Sequence, residues 1–395
     1  MSNDRLDEQK LRFRNPNLSR RSILASTAIG VAGAGAGLLV GCGDDDDDAP
    51  ELNGELEVTS LRIAKPPPAC QAAQYVAEEY LREEGFTDIE YVKLDVVDET
   101  ASSTATGAVD FAMDFAPTTI ASIDRGADLK ILAGLHVGCT EVFARDPAIQ
   151  SIADLRGRVI GVERAGPTHG NYIFMSAFLG RVGIDPASDV SWKEIPFLEL
   201  PAALAAGEID AFSSFPPIAY SVLADGTGHV ILDTTLDEPY SNNFCCMLDG
   251  NASFVDRYPG ATKRVLRSYI HAAEHCAREP DAVADLLVAD GRWPTLSTES
   301  ARKMMSLLPY DVWRRFDPEA TVRFYALPLH ETGIIERTPE EIIERGTDWR
   351  FLDELKEEFA RSRGTADEQF SFYCDPETGL PLRTAATNRP QRRTT

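Results

Sequence analysis

Positive charge is scarce in this chain. It carries 39 lysines and arginines against 63 aspartates and glutamates, a formal net charge of -24. Nucleic-acid binding needs basic patches to neutralise phosphate, so that class of partner is excluded. Such a surface repels copies of itself and stays soluble. Histidine is sparse too, at six residues. No HExxH, phosphate loop or nucleophile elbow occurs, which removes the common hydrolase and nucleotide-binding layouts. Of the seven cysteines, Cys70, Cys139, Cys245, Cys246, Cys276 and Cys374 show no C-x-x-C or Cys/His spacing. No metal site is legible in that pattern, and no cofactor is expected. Neighbouring Cys245 and Cys246 do not suit a mutual disulfide, whose Cα atoms usually sit about 5.5–6 Å apart. The expected role of these cysteines is as small buried hydrophobes, with disulfides left open. A long apolar run occurs at Ile23–Val40, and its glycines and alanines make it a poor permanent membrane span.

The N-terminus reads as an address. "RNPNLSRRSILASTAIGVAGAGAGLLVGCG" has a basic segment, an apolar core and a small-residue boundary, the layout of a signal peptide. Ser19 to Leu24 resembles the twin-arginine export motif, with Arg20 and Arg21 as the pair and Ile23 where Phe is commonest. Leu39-Val40-Gly41-Cys42 resembles a bacterial lipobox, which makes Cys42 the lipidated first residue of the mature chain. The run Asp44–Asp48 repels itself and cannot pack, so it reads as a solvated tether. Residues 1–42 are therefore expected to be a signal peptide and 43–55 an acidic tether. The folded body is expected outside the cytoplasmic membrane, held there by a lipid on Cys42.

The body alternates strand and helix. "LEVTSLRIAK" and "IEYVKLDV" read as strands. Between them Ala73, Val76, Ala77, Tyr80 and Leu81 form one apolar helix face, stopped by Gly85. The runs "AVDFAM", "LKILAGL", "RVIGVE", "VSWKEI", "IDAFSS" and "HVILDT" extend the pattern, with helical spacing at 169–181 and 198–206. This alternation predicts α/β sheets of parallel type. Within it the chain repeats itself. "GAVDFAMDFAP" and "GEIDAFSSFPP" share Gly107/Gly207, Asp110/Asp210, Phe115/Phe215 and Pro117/Pro217, and the match continues through Gly126/Gly226 to Ile131-Leu132 and Ile231-Leu232. In each copy a glycine ends a helix, an apolar strand follows, and proline starts the next helix. Two equivalent α/β lobes are expected, with Phe115 and Phe215 just past strand ends, where ligands bind in open α/β sheets. After Asn251 the spacing is helical, and from Arg361 the composition predicts disorder.

Three stretches carry a family likeness: "SIADLRGRVIGV", "FVDRYPGATKRVLRSYIHA" and "RGTDWRFLDELK". Over about residues 56–360 the chain resembles the extracytoplasmic solute-binding proteins of ABC importers, in the nitrate/sulfonate/taurine (NMT1-like) group. The resemblance implies a two-lobed periplasmic-binding-protein type II clamshell with a helical C-terminal region. Lobe one would combine 56–139 with 243–360, lobe two would be 140–242, and 361–395 a tail. It further implies a monomer that captures a small solute and delivers it to a permease and its ATPase, without catalysis.

Loops after strands are the expected ligand contacts. In lobe one these are Pro67, Cys70 and Gln71, then Asp114, Phe115 and Thr118. In lobe two they are Arg164, Thr168 and His169, then Ser213, Ser214 and Phe215, with Asn243 beside the second crossing. Thr168 is placed to cap a helix whose free N–H groups favour an anion, and Arg164 can pair with a carboxylate or sulfonate. Asp114 opposes a simple anion site, so sulfonates, carboxylates, pyrimidines and aromatic acids all stay open. Two alternatives stand beside the importer: a ligand sensor for a membrane receptor, and an enzyme like the thiamine-pyrimidine synthase of this fold. That enzyme's cysteine-rich iron motif is only partly matched by "NNFCCML".

Overall fold

The computed structural model describes residues 56–66, 70–94, 99–215, 218, 222–223, 225–293 and 296–363. The export motif with Arg20 and Arg21, Cys42, the acidic run, Pro67, Cys374 and the tail from residue 364 lie outside the described residues.

Alternation sets the first strand, β1 (Ser60–Lys65), where Leu61 and Ile63 are buried while Ser60 and Arg62 are exposed. Helix α1 (Ala72–Glu83) follows and buries Ala73, Val76, Ala77 and Leu81, the face its spacing predicts. Next come β2 (Asp88–Lys93), α2 (Thr100–Ala105), β3 (Phe111–Phe115), α3 (Ala116–Asp124) and β4 (Leu129–Val137). The chain then crosses into β5 (Glu141–Ala144), β6 (Val159–Val162), α4 (Gly170–Arg181), β7 (Ser191–Glu194), α5 (Leu200–Ala206), β8 (Ala211–Ser214) and β9 (His229–Asp233). It returns through β10 (Phe244–Asn251). The described residues after it are mostly helical: α6 (Ala252–Arg257), α7 (Pro259–Arg278), α8 (Pro280–Ala289), α9 (Thr298–Leu307), α10 (Pro318–Glu331), α11 (Pro339–Gly346) and α12 (Arg350–Arg363).

Two five-stranded sheets result, ordered β2-β1-β3-β10-β4 and β7-β6-β8-β5-β9. Each is parallel except for one strand, β10 in the first and β5 in the second. The two orders correspond strand for strand. Each odd strand is the one that has just crossed from the other sheet, so each lobe completes itself with a segment delivered by a crossing.

The sequence repeat is matched bond for bond. Gly107 and Gly207 both have φ +72°, a left-handed conformation glycine takes without a Cβ penalty. Asp110 donates its N–H to the Arg62 carbonyl at 2.7 Å and accepts the Arg62 N–H on its carboxylate at 2.7 Å. Asp210 does the same with Val159, at 2.8 Å for both bonds. The Asp110 carbonyl accepts from Asn251 at 2.9 Å, and the Asp210 carbonyl from Arg145 at 3.2 Å. The duplicated aspartates therefore lock one strand start to its neighbour in each lobe.

The helical region braces this pair. α7 packs on α1, α12 on α7, and α10 on both α3 of lobe one and α4 of lobe two. Lys263 of α7 is buried and pairs with Glu354 at 2.8 Å and Glu358 at 2.5 Å on α12. On α10, the Arg181 guanidinium of lobe two lies 3.8 Å from the Phe324 ring centroid. Among the described residues no helix is long and apolar enough to cross a membrane.

Candidate ligand-binding cleft

The carboxyl ends of β1 and β3 in one lobe, and of β6 and β8 in the other, carry most of the expected contacts. Phe115 ends β3 and occupies the N-cap position of α3. Its ring lies 6.0 Å from that of Phe215, which follows β8, and 5.5 Å from that of Phe174 on α4. Phe197 adds a further ring 5.1 Å from Phe215. Phe115 is 4% exposed, whereas Phe215 is half-buried. The two repeated phenylalanines thus touch across the line between the lobes.

Polar candidates near them are mostly engaged. The Asp114 carboxylate accepts from the Phe115 N–H at 2.7 Å, and the Thr118 hydroxyl donates to the Phe115 carbonyl at 2.7 Å. The Gln71 amide donates to the Met113 carbonyl at 3.3 Å, tying the start of α1 to β3. Ser213 and Ser214 are buried in β8, and Asn171 donates to the Ser213 carbonyl at 3.0 Å. Asn243 holds the second crossing by donating its amide to the Pro239 carbonyl at 2.8 Å. Arg164 and Thr168 are exposed on the loop after β6 and His169 is half-buried. That loop meets lobe one where Arg125 donates to the Pro167 carbonyl.

The capping role expected of Thr168 is not what forms. α4 starts at Gly170, with His169 at the N-cap position and no side-chain cap bond. The His169 N–H bonds the Gly166 carbonyl at 3.2 Å, which closes a turn around Pro167 and Thr168. Thr168 lies inside that turn, one residue too early to cap the helix.

Beneath the cleft lie groups that spacing did not reveal. Cys70, His136, Cys139, Cys245 and Cys246 are all buried and converge from three separate stretches of chain. Cys70 Sγ is 3.4 Å from Cys246 Sγ, and Cys139 Sγ is 2.7 Å from Cys245 Sγ. The expectation of cysteines as buried small groups fits their exposure but not this clustering. Burial pushes the Cys70 and Cys139 thiols up to about 11. Burial would also raise Cys245, but hydrogen bonds from the Cys139 and Cys246 thiols outweigh it and bring Cys245 down to about 7. A second buried group is Asp249 on β10, which accepts from the Thr119 hydroxyl at 2.6 Å. Burial, then the neighbouring Asp114 charge, raises its carboxyl well above the ordinary range. A cavity of about 510 Å³ exists elsewhere, lined by Arg145, Asp146, Gly207, Asp210 and Thr227. Asp210 precedes β8 and Arg145 follows antiparallel β5, so this cavity lies at the opposite end of the lobe-two sheet from Phe215.

The profile described as the NMT1-like family matches residues 54–288, and the chain belongs to that family. No curated sequence relative matches it. Its fold is that of periplasmic binding proteins, a mixed α/β clamshell with two lobes. The periplasmic nitrate-binding protein NrtA of Synechocystis PCC 6803 is similar with a TM-score of 0.63 at 16% identity, over 78% of this chain and 89% of that one. The periplasmic aliphatic sulphonate-binding protein SsuA of Escherichia coli is similar with a TM-score of 0.59 at 15% identity, over 74% and 92%. The desulfurization enzyme DSZB is also similar, with a TM-score of 0.50 at 18% identity over 76% and 100%.

Proposed function

We propose that the chain captures a small organic solute between its lobes, outside the cytoplasmic membrane, and delivers it to an ABC importer permease by closing. The observation that carries this is the pairing of equivalent strand ends, β3 with Phe115 and β8 with Phe215, at the line between two lobes joined through two crossing strands. A cleft between lobes is a preferred place for a small-molecule site, and hinge closure is the motion such a pair supports. Family membership and the nitrate- and sulphonate-binding proteins of like fold support the same reading. The aromatic lining at Phe115, Phe174, Phe197 and Phe215 favours a solute with an apolar or flat body. Arg164 on the adjoining exposed loop supplies a cation for its acidic group. The working form is a monomer held to the membrane by a lipid on Cys42 and exported through the Arg20-Arg21 motif.

Thermal-shift screening of the purified chain against nitrate, alkanesulfonates, carboxylates, pyrimidines and aromatic acids is the direct test. One class should raise the melting temperature, and small-angle scattering with that solute should give a smaller radius of gyration. Failure of every class to shift melting would sink the capture reading; an unchanged radius with a confirmed ligand would sink closure. Cys42→Ala should release the protein from the membrane fraction, and retention there would overturn the anchor. Turnover of a bound solute would favour the enzyme alternative, which the likeness to a desulfurization enzyme keeps in view.

A further inference from the structure

The two crossings between the lobes meet at the buried thiols. Cys139 lies on the first crossing, Cys245 and Cys246 follow Phe244 at the start of β10 just past the second, His136 is next to last in β4, and Cys70 lies just before Gln71, the N-cap of α1. Their donor atoms fall into two triads, Cys139/Cys245/Cys246 and Cys70/His136/Cys246, each within 4.8 Å of one another and sharing Cys246. Sequence neighbours on a regular strand point to opposite faces. Here β10 slips register against β4 on both sides of Cys246, and this irregularity lets Cys245 and Cys246 reach the same cluster. His136 is fully buried, its Nδ1 lies 3.2 Å from the Val137 carbonyl, and its Nε2 has no hydrogen-bond partner. An orphaned buried nitrogen beside thiols calls for an explanation. Cys139 has φ +91°, the one left-handed non-glycine among the described residues. Such strain persists where the surroundings over-determine it.

We propose that this cluster is a structural site for a thiophilic d10 ion, zinc(II) or copper(I), with Cys246 as the shared donor and the remaining ligands drawn from Cys70, His136, Cys139 and Cys245. Thiolate and imidazole together select such ions, and a closed zinc site takes four donors of this kind. Each ligating thiol gives its proton to solvent on binding. Zinc–sulfur bonds of about 2.3 Å place tetrahedral sulfurs about 3.8 Å apart, so the Cys139–Cys245 pair opens by about 1 Å to receive the ion. A disulfide would instead require that pair to close to about 2.05 Å. The convergence of four thiols with an unpartnered imidazole, rather than one isolated thiol pair, favours the ion. Because the donors come from both crossings and from the start of α1, the ion fixes the axis on which the lobes turn.

The test uses the full chain, purified without oxygen in reductant, stripped with chelator and desalted. Cobalt(II) should bind at one equivalent, with thiolate-to-cobalt charge-transfer and tetrahedral ligand-field bands, and zinc(II) should displace it and raise the melting temperature. Copper(I), titrated against a competing chromogenic chelator, tells which ion is preferred; tight binding of either supports the site. Cys246→Ser should abolish the cobalt bands, while Cys276→Ala, which alters a buried cysteine outside both triads, should leave them. Should Cys246→Ser fail to fold, the unmodified chain still decides. A folded, fully reduced protein that shows no cobalt bands and retains neither ion overturns the proposal. So does a protein isolated without reductant whose intact mass reveals a bridge and which, once reduced, takes up no metal.

Discussion

Gly138 and Gly157 form a matched pair for a stability experiment. Their backbones are nearly the same, at φ +80° and +77°. Their surroundings differ: a Cβ at Gly157 would meet nothing within 4 Å, whereas one at Gly138 would sit 2.3 Å from Thr235 Oγ1, 2.8 Å from its Cβ and 2.9 Å from its Cα. Holding alanine in the left-handed region costs about 1–2 kcal/mol, offset by roughly 0.4–1 kcal/mol of unfolded-state entropy. Gly157→Ala should therefore lose about 1 kcal/mol. Gly138→Ala carries that cost and more. The Thr235 hydroxyl can rotate away but its Cα cannot, and overpacking of this kind costs about 1–3 kcal/mol. The same displacement strips the long 3.4 Å bond from the Cys139 N–H to Thr235 Oγ1, worth up to about 1 kcal/mol. The total is about 2–5 kcal/mol, so the two variants should differ by about 1–4 kcal/mol. Urea unfolding of both, with slopes compared, measures this directly. Equal losses would refute the claim that the first crossing is packed too tightly for one extra methyl group.

Three further outcomes are expected. A carboxyl raised by folding stabilises fully below its unfolded value, about 3.9, and that contribution fades as pH rises toward the folded value. Asp249→Asn imitates the protonated form, so its stability relative to the parent should grow from pH 4 upward; parallel urea midpoints from pH 4 to 8 would rule this out. Phe115→Ala should destabilise the ligand-free chain by about 3–5 kcal/mol because the ring is almost fully buried. Phe215→Ala should cost less stability and chiefly weaken calorimetric solute affinity; equal stability losses with unchanged affinity would reduce both rings to packing.

The α/β class and the two lobes were legible because their signals are local. Apolar runs marked most strands, and the glycine, aspartate and phenylalanine of the repeat mark equivalent turns in both copies. The sheets were expected to be parallel, and the two strands that break the rule left no readable pattern. β5 has four residues, and β10 is buried at all eight positions while including Cys245, Cys246, Asp249 and Asn251. A strand covered on both faces shows no alternation, and polar residues disguise it further. α11 begins where its sequence says it should, with Thr338 and Glu341 forming a capping box around its proline start. The thiol cluster was invisible for a different reason: Cys70, His136, Cys139 and Cys245 are brought together by the crossings, and no spacing rule encodes a contact between segments so far apart. Thr168 failed as a cap through a one-residue error in where the helix begins.

The exchange of β5 and β10 also sets an order of events as the chain is made. Every strand of the second sheet lies between Glu141 and Asp233, so that lobe can assemble as soon as it is synthesised. The N-terminal lobe must wait. Among the described residues β4, the apolar segment Leu129–Val137, has β10 as its sheet neighbour and otherwise a single bridge from Ile131 to Thr347, both made later. Until the ribosome passes Asn251, β4 is an unpaired hydrophobic edge on the oldest part of the nascent chain. Unpaired edges of this kind template aggregation. A pause between Asp233 and Phe244 would leave a finished second lobe attached to an unfinished first one. The stretch that most needs shielding by chaperones is therefore the one synthesised early and completed late.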